Sequence, residues 1–242
     1  MDVEAVAAAL RVLVTRSEVA TSKAMIAASD SLATFRVLTL AKTARDSEVE
    51  AAIARELPLD PSRMSIRWFD VPEDRPRRRV YAVAWDRAQV RNLTNAVRAA
   101  GLEAGAVDLK SACLARAAPE PSCVIVDLTS ETAQLFLIDG CVPCVWSSFK
   151  YDRAAGTDPA AVLVGPVRSL LRYYNRRRDS DFSRASPVLI STEQPLPVSS
   201  VARIEEMLQH PVTHLPPPRR VPGDMRHATF LTCLGLIMRR TE

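Results

Sequence analysis

Only seven of the 242 residues are glycine, about 3% against roughly 7% in an average chain. No GxGxxG and no GxxxxGK[ST] occurs anywhere, which excludes Rossmann-type dinucleotide binding and P-loop NTPase chemistry, since both lay bare backbone against phosphate. With 48% hydrophobic and 25% charged residues and a net charge of only +4, the chain reads as an ordinary soluble globular protein of one large or two small domains, and not as a dedicated nucleic-acid binder.

Val3, Val6, Ala7, Leu10 and Leu13 recur at helical spacing, so residues 2–14 are expected to form an amphipathic helix. Ala24–Ala28 reads as a short buried strand. Thr34–Leu40 is a second strand. Asp46 or Ser47 then caps a helix, with Glu50 placed to complete a capping box from Ser47. Val49, Ala52, Ile53 and Leu57 line that helix's inner face, and Pro58 ends it. Met64–Val71 and Arg79–Ala84 are strands joined by a polar, proline-containing turn. Asp86 caps a helix buried through Val90, Leu93, Val97 and Ala100, with Gly101 just past its end. Ala106–Leu109 makes the last strand of a strand-helix-strand-strand-helix-strand module.

Pro119–Pro121 punctuates the chain. Cys123–Asp127 is a continuous apolar strand, Ala133–Ile138 a second, and Val142–Phe149 a third, with Asp139–Gly140 as the hairpin signal between the last two. Asp158 caps and Pro159 starts a helix to about Asn175, with a kink signal at Pro166. Pro187–Ile190 is a strand, and Ser200 caps a helix lined by Val201, Ile204 and Leu208. Residues 211–222 read as a proline-rich loop. Residues 224–240 read as an apolar helix whose terminal arginines suit the negative end of its dipole.

Few residues point to chemistry. Five cysteines with no signal peptide suggest a reducing cytosol and a fold without disulfides. Cys141 and Cys144 have CxxC spacing, but no second ligand pair accompanies them, and two small strand residues is the favoured reading over a dithiol. His210, His214 and His227 are too scattered to bind a metal, and His210 is suited to a helix C-terminus. No Ser or Cys is grouped with His and an acid, so nucleophilic catalysis has no support. Arginines cluster at Arg75–Arg79 and Arg176–Arg178. They read as solvated turn and helix-end charge before they read as a site for an anionic partner. No apolar run reaches the roughly 20 residues that span a bilayer.

Asp127-Leu-Thr-Ser-Glu-Thr132 is the suggestive constellation. A carboxylate ending a buried strand before a hydroxyl-rich turn is able to hold a hydrated cation and phosphate oxygens. It serves equally as a hydrogen-bonding residue that shapes the hairpin.

Four stretches in order resemble the PilM family, the actin-like cytoplasmic component of type IV pilus assembly machines. Arg36-Val-Leu-Thr-Leu with the helix to Leu57 is similar to the family's small inserted subdomain. Val90–Leu109 is similar to its helix-Gly-Leu-strand stretch. Cys123–Thr132 is similar to the second phosphate hairpin of actin-like folds, usually Asp-x-Gly-x-x-Thr. Cys233-Leu-Gly-Leu-Ile-Met-Arg is similar to the closing helix. The resemblance implies an α+β, actin-like (ribonuclease H-type) core. Residues 1–32 would be a remnant of the first actin-like subdomain, 33–112 an inserted small βαββαβ subdomain, and 120–242 the second actin-like domain.

The departures bear on function. The family's opening hairpin with Asp-x-Gly is expected to be absent, because Met1 is followed at once by a helix. Thr129 stands where the second hairpin has glycine, and its Cβ hinders φ > 0 and close approach to phosphate. Val188-Leu-Ile-Ser-Thr192-Glu193 stands where the family shows a Gly-Gly contact to adenosine. Any ATP and magnesium would fall to Asp127, Thr129 and Thr132, and no cofactor is the expectation. The resemblance thus implies a non-catalytic cytoplasmic adaptor at the inner membrane. It would bind the N-terminal tail of a PilN-like membrane-anchored protein, would be capable of self-association, and would bind no nucleic acid. The alternatives are an ATP-binding actin-like ATPase or switch, and an FtsA-like cell-division or type II secretion cytoplasmic domain.

Overall fold

The computed structural model describes residues 2–18, 20–57, 60–71, 76–129, 131–151, 158–176, 182–218 and 227–239. The chain divides into two compact units, Met1–Lys110 and Ser111–Glu242.

In the first unit, helix α1 (Val3–Arg16) is capped by Asp2, whose carboxylate accepts the Ala5 amide. Strand β1 (Lys23–Ala28) leads to β2 (Ala33–Ala41), and helix α2 (Asp46–Glu56) follows. Helix α2 starts at Asp46 with Arg45 as its cap, one position before a cap at Asp46 would place it and two before a cap at Ser47. The acid that reaches back is Glu48, accepting the Arg45 amide at 2.7 Å, and not Glu50. Strands β3 (Met64–Asp70) and β4 (Arg77–Asp86) form the expected hairpin, with β4 longer at both ends. The Asp86 carboxylate accepts the Ala88 and Gln89 amides at the start of helix α3 (Arg87–Ala99), and Gly101 closes that helix at φ +85°, where a Cβ is unfavourable.

Strands β2, β4 and β3 form one antiparallel sheet. Val80 and Ala82 of β4 meet Val49, Ala52 and Ile53 of α2 on one face, as a period of two requires. Strand β5 (Glu103–Leu109) does not join this sheet. It pairs in parallel with β1, Ile26 opposite Val107, so the strand read from sequence as closing the module belongs to a separate two-stranded sheet.

The second unit opens with a helix the sequence reading passed over, α4 (Lys110–Ala117). Strands β6 (Cys123–Leu128), β7 (Thr132–Asp139) and β8 (Val142–Lys150) make an antiparallel meander. Gly140 and Cys141, both near φ +64°, form the tight turn between β7 and β8. Cys141 therefore lies in the turn while Cys144 lies on the strand, which corrects the reading of two strand residues.

Helix α5 (Pro159–Asn175) is capped by Asp158 and carries Pro166 inside it. Strand β9 (Val188–Thr192) precedes helix α6 (Val198–Leu208), whose cap is Pro197, so Ser200 lies in the first turn and is not the cap. Strand β10 (Val212–His214) occupies part of the segment expected to be loop. Helix α7 (His227–Ile237) is last.

The sheet order is β10-β9-β6-β7-β8, with β9 and β10 parallel to β6. Numbered within the unit this is 5-4-1-2-3, the ribonuclease H-type sheet from which actin-like folds are built. Its central strands β6, β7 and β9 are apolar on both faces. Val124, Val126, Leu135, Leu137, Val188 and Ile190 point to the α5–α6 side, and Cys123, Ile125, Phe136, Ile138 and Leu189 to the side of α4 and α7. Gly235 of α7 lies against α4, where a Cβ would overlap the Cys113 carbonyl. The Arg116 guanidinium donates to the Gly235 carbonyl oxygen at 2.8 Å in the same crossing.

Candidate functional site

The carboxyl ends of β6 and β9 lie side by side, with Asp127 opposite Ser191 and Leu128 opposite Thr192. In open α/β sheets, ligands sit at such strand ends. The structure brings Asp127, Thr129 and Thr132 to one hairpin. Asp127 is half-buried at the end of β6 and faces Gln134 of β7, while Thr129 and Thr132 flank the turn and are exposed.

That turn is closed on itself. The Thr129 amide donates to the Thr132 carbonyl at 2.9 Å, and the Thr132 amide donates to Thr129 Oγ1 at 3.1 Å. Thr129 Oγ1 also lies 2.9 Å from Thr132 Oγ1. Among the described non-glycine residues, positive φ is confined to Glu18, Cys141 and Gln209, so Thr129 does not adopt the left-handed backbone that a glycine there would supply. Two amides that a phosphate loop would turn toward an anion are thus directed into the hairpin, and both hydroxyls belong to the same clasp. The described part of the turn thus spends these amides and hydroxyls on its own closure.

At the end of β9, Thr192 Oγ1 donates to the Gln194 carbonyl at 3.1 Å. The following segment is fixed by β10, where His214 Nε2 accepts the Leu196 amide at 3.0 Å. This bond places the imidazole proton on Nδ1. His210 directly follows the cap of α6, as the sequence suggests, and is buried with Nδ1 at 3.0 Å from the Ser186 carbonyl. The side chain of His227 lies outside the described residues. Among the described residues no group of three or more His, Cys, Asp or Glu is placed to hold a metal ion.

At the opposite end of the strands, Asp139 is buried. Its carboxylate accepts Tyr174 Oη at 2.8 Å and Ser122 Oγ at 2.9 Å, and Cys144 Sγ lies 3.7 Å from the same tyrosine oxygen. This network explains the position of Cys144. The Cys123 thiol is pushed up to about 12, chiefly by burial and then by Glu120 and Cys141, which makes it unreactive at neutral pH.

Of the first arginine cluster, Arg75 lies outside the described residues. Arg78 is structural: it binds Asp70 at 2.7 Å, Asp46 at 3.0 Å and the Ala44 carbonyl, and stacks over Trp68. Its bond to Asp70 holds that carboxyl below the usual range. Of the second cluster, Arg177 and Arg178 lie outside the described residues, as do Pro58, Ser130, residues 219–226 and Arg240. Sequence reasoning passed over the companions of Arg176. Arg172 and Arg168 lie four and eight positions before it on α5, a spacing visible in the sequence only when arginines are read by helical period instead of by runs.

The strand order and the two-sided apolar sheet define a ribonuclease H-type fold, the kind from which actin-like folds are built. No family model matches the chain, and no curated protein matches it. Among solved structures the chain is similar to one described as a PilM-PilN type IV pilus biogenesis complex, at 18% identity over 96% of this chain and 84% of that one, with a TM-score of 0.64. It is also similar to the cytoplasmic domain of EpsL, an inner-membrane component of the type II secretion system of Vibrio cholerae, at 13% identity over 97% of this chain and 82% of that one, with a TM-score of 0.52. These likenesses establish the fold. Among the described residues no helix is long and apolar enough to cross a membrane.

Proposed function

We propose that this protein is a non-catalytic adaptor of a type IV pilus or related secretion machine, which holds the N-terminal tail of a membrane-anchored partner on the cytoplasmic side of the inner membrane. The observation that carries this reading is the Thr129–Thr132 clasp, which directs the hairpin's amides inward in a fold whose relatives include a PilM-PilN complex. A protein of this fold without a phosphate cradle retains surfaces for peptides, through grooves or strand edges.

Two measurements on the whole chain test it. Millimolar ATP or ADP with magnesium is expected to leave the melting temperature unchanged. A labelled N-terminal peptide of a PilN-type inner-membrane protein is expected to bind saturably, with or without nucleotide. Stabilisation by nucleotide that disappears in Asp127→Ala would make the protein an ATP-dependent switch instead. Failure to bind the tails of both pilus and type II secretion partners would remove the adaptor reading.

A further inference from the structure

We propose that the face of α5 bearing Arg168, Arg172 and Arg176 is a docking site for an acidic protein segment. The three residues are spaced by four and all are exposed, so their guanidinium groups follow one side of the helix at intervals of about 6 Å. They line a groove of about 430 Å³ together with Leu171 and Asn175. This surface lies in the second unit alone and does not depend on the tail-binding reading.

Like charges at four-residue spacing repel, and α5 contains no acidic residue to offset them. Some arginines elsewhere are paired: Arg203 meets Asp158 at 2.9 Å, and Arg78 meets two aspartates. On α5, Arg168 donates to the Met207 carbonyl at the end of α6, and Arg172 and Arg176 make no ion pair among the described residues. The helix dipole favours the cations of the last turn but does not account for the groove beside them. Asn175 is partly engaged, its Oδ1 accepting the Phe182 amide at 2.9 Å, which leaves its NH2 as a donor at the groove. A row of planar forks over a leucine floor matches carboxylates presented in line by a helix or strand, since each guanidinium takes a carboxylate in bidentate fashion.

The probe is a fluorescein-labelled, alanine-based helical peptide of roughly a dozen residues with glutamate at every fourth position, set against its glutamine counterpart and titrated into the whole chain at low salt. The glutamate peptide is expected to bind about tenfold more tightly than the glutamine peptide. Arg172→Glu with Arg176→Glu is expected to weaken it by about tenfold or more, and the milder Arg172→Gln with Arg176→Gln pair by several-fold. Arg91→Glu with Arg98→Glu on α3 makes the same change in net charge and is expected to leave the affinity within about twofold. Equal weakening by the α3 pair, equal binding of the glutamine peptide, or capture of phosphatidylserine vesicles through Arg172 and Arg176 in place of the peptide would each overturn the proposal.

Discussion

The two larger sheets of this protein solve the same burial problem in opposite ways. In the ribonuclease H-type sheet, β6 and β7 carry apolar side chains to both faces, and Ile125, Leu135, Phe136 and Leu137 are all fully buried. In the β2-β4-β3 sheet the apolar alternation serves α2 on one side, while edge strand β3 leaves Ile66 37% and Phe69 49% exposed. What apolar contact does for the first sheet, Arg78 does at the margin of the second, joining β4 to Asp70 of β3, to Asp46 of α2 and to the Trp68 ring. The difference teaches that one unit is specified by volume and the other, to a larger degree, by charge and geometry.

The comparison breaks most readily at Leu135. Leu135→Ala removes a side chain enclosed on all sides and is expected to cost about 3 kcal/mol by urea denaturation, salt-independent. Gly235→Ala is expected to cost about 2 kcal/mol, because the added methyl overlaps the Cys113 backbone, which yields less easily than a side chain. Arg78→Ala is expected to lower the melting temperature by less than Leu135→Ala, with the gap narrowing in about 0.5 M salt, where screening already weakens its ion pairs. No salt dependence for Arg78→Ala would show that its contribution is packing over Trp68.

The smallest effects are those of pH, and they have opposite signs in the two units. Hydrogen bonds from Arg78 to Asp70 and from Arg63 to Asp86 hold both carboxyls below the usual range in the folded state. Their stabilisation is therefore complete above the ordinary carboxylate value near 4 and is lost as the pH falls through the lower, folded values. Asp70→Asn is expected to flatten the acid limb of a stability-versus-pH curve. Cys123 behaves in reverse. Its thiol titrates near 12 when folded, so stability is expected to fall as the pH rises from about 9, where the unfolded thiol ionises, toward 12. Cys123→Ala is expected to remove that decline, while an unchanged alkaline limb would assign it to another group.

The order of elements was legible because periodicity is local. Strand β6 announces itself as CVIVD, and Asp86, Asp158 and Gly101 mark helix ends by side-chain chemistry alone. Helix α4 was missed because KSACLARA has no acidic first turn and few large apolar residues, although Leu114 and Cys113 are buried. Strand β10 was hidden among prolines, and three residues are too few to show alternation. The pairing of β5 with β1 joins residues about eighty positions apart, which no local pattern encodes. At the candidate site, the sequence places Asp127, Thr129 and Thr132 on one hairpin, and the cost of a Cβ at Thr129 follows from residue type. The closure of the turn by both threonine hydroxyls does not, because hydroxyl direction depends on side-chain rotamer.

The hydrogen bond from Tyr174 to Asp139 joins the last turn of α5 to the end of β7. A pull exerted on the outer arginines of this helix would pass through that phenol into the most deeply enclosed strand pair of the molecule, sideways to the sheet's own ladder. Detaching the helix would then require baring a carboxylate as well as separating apolar surfaces.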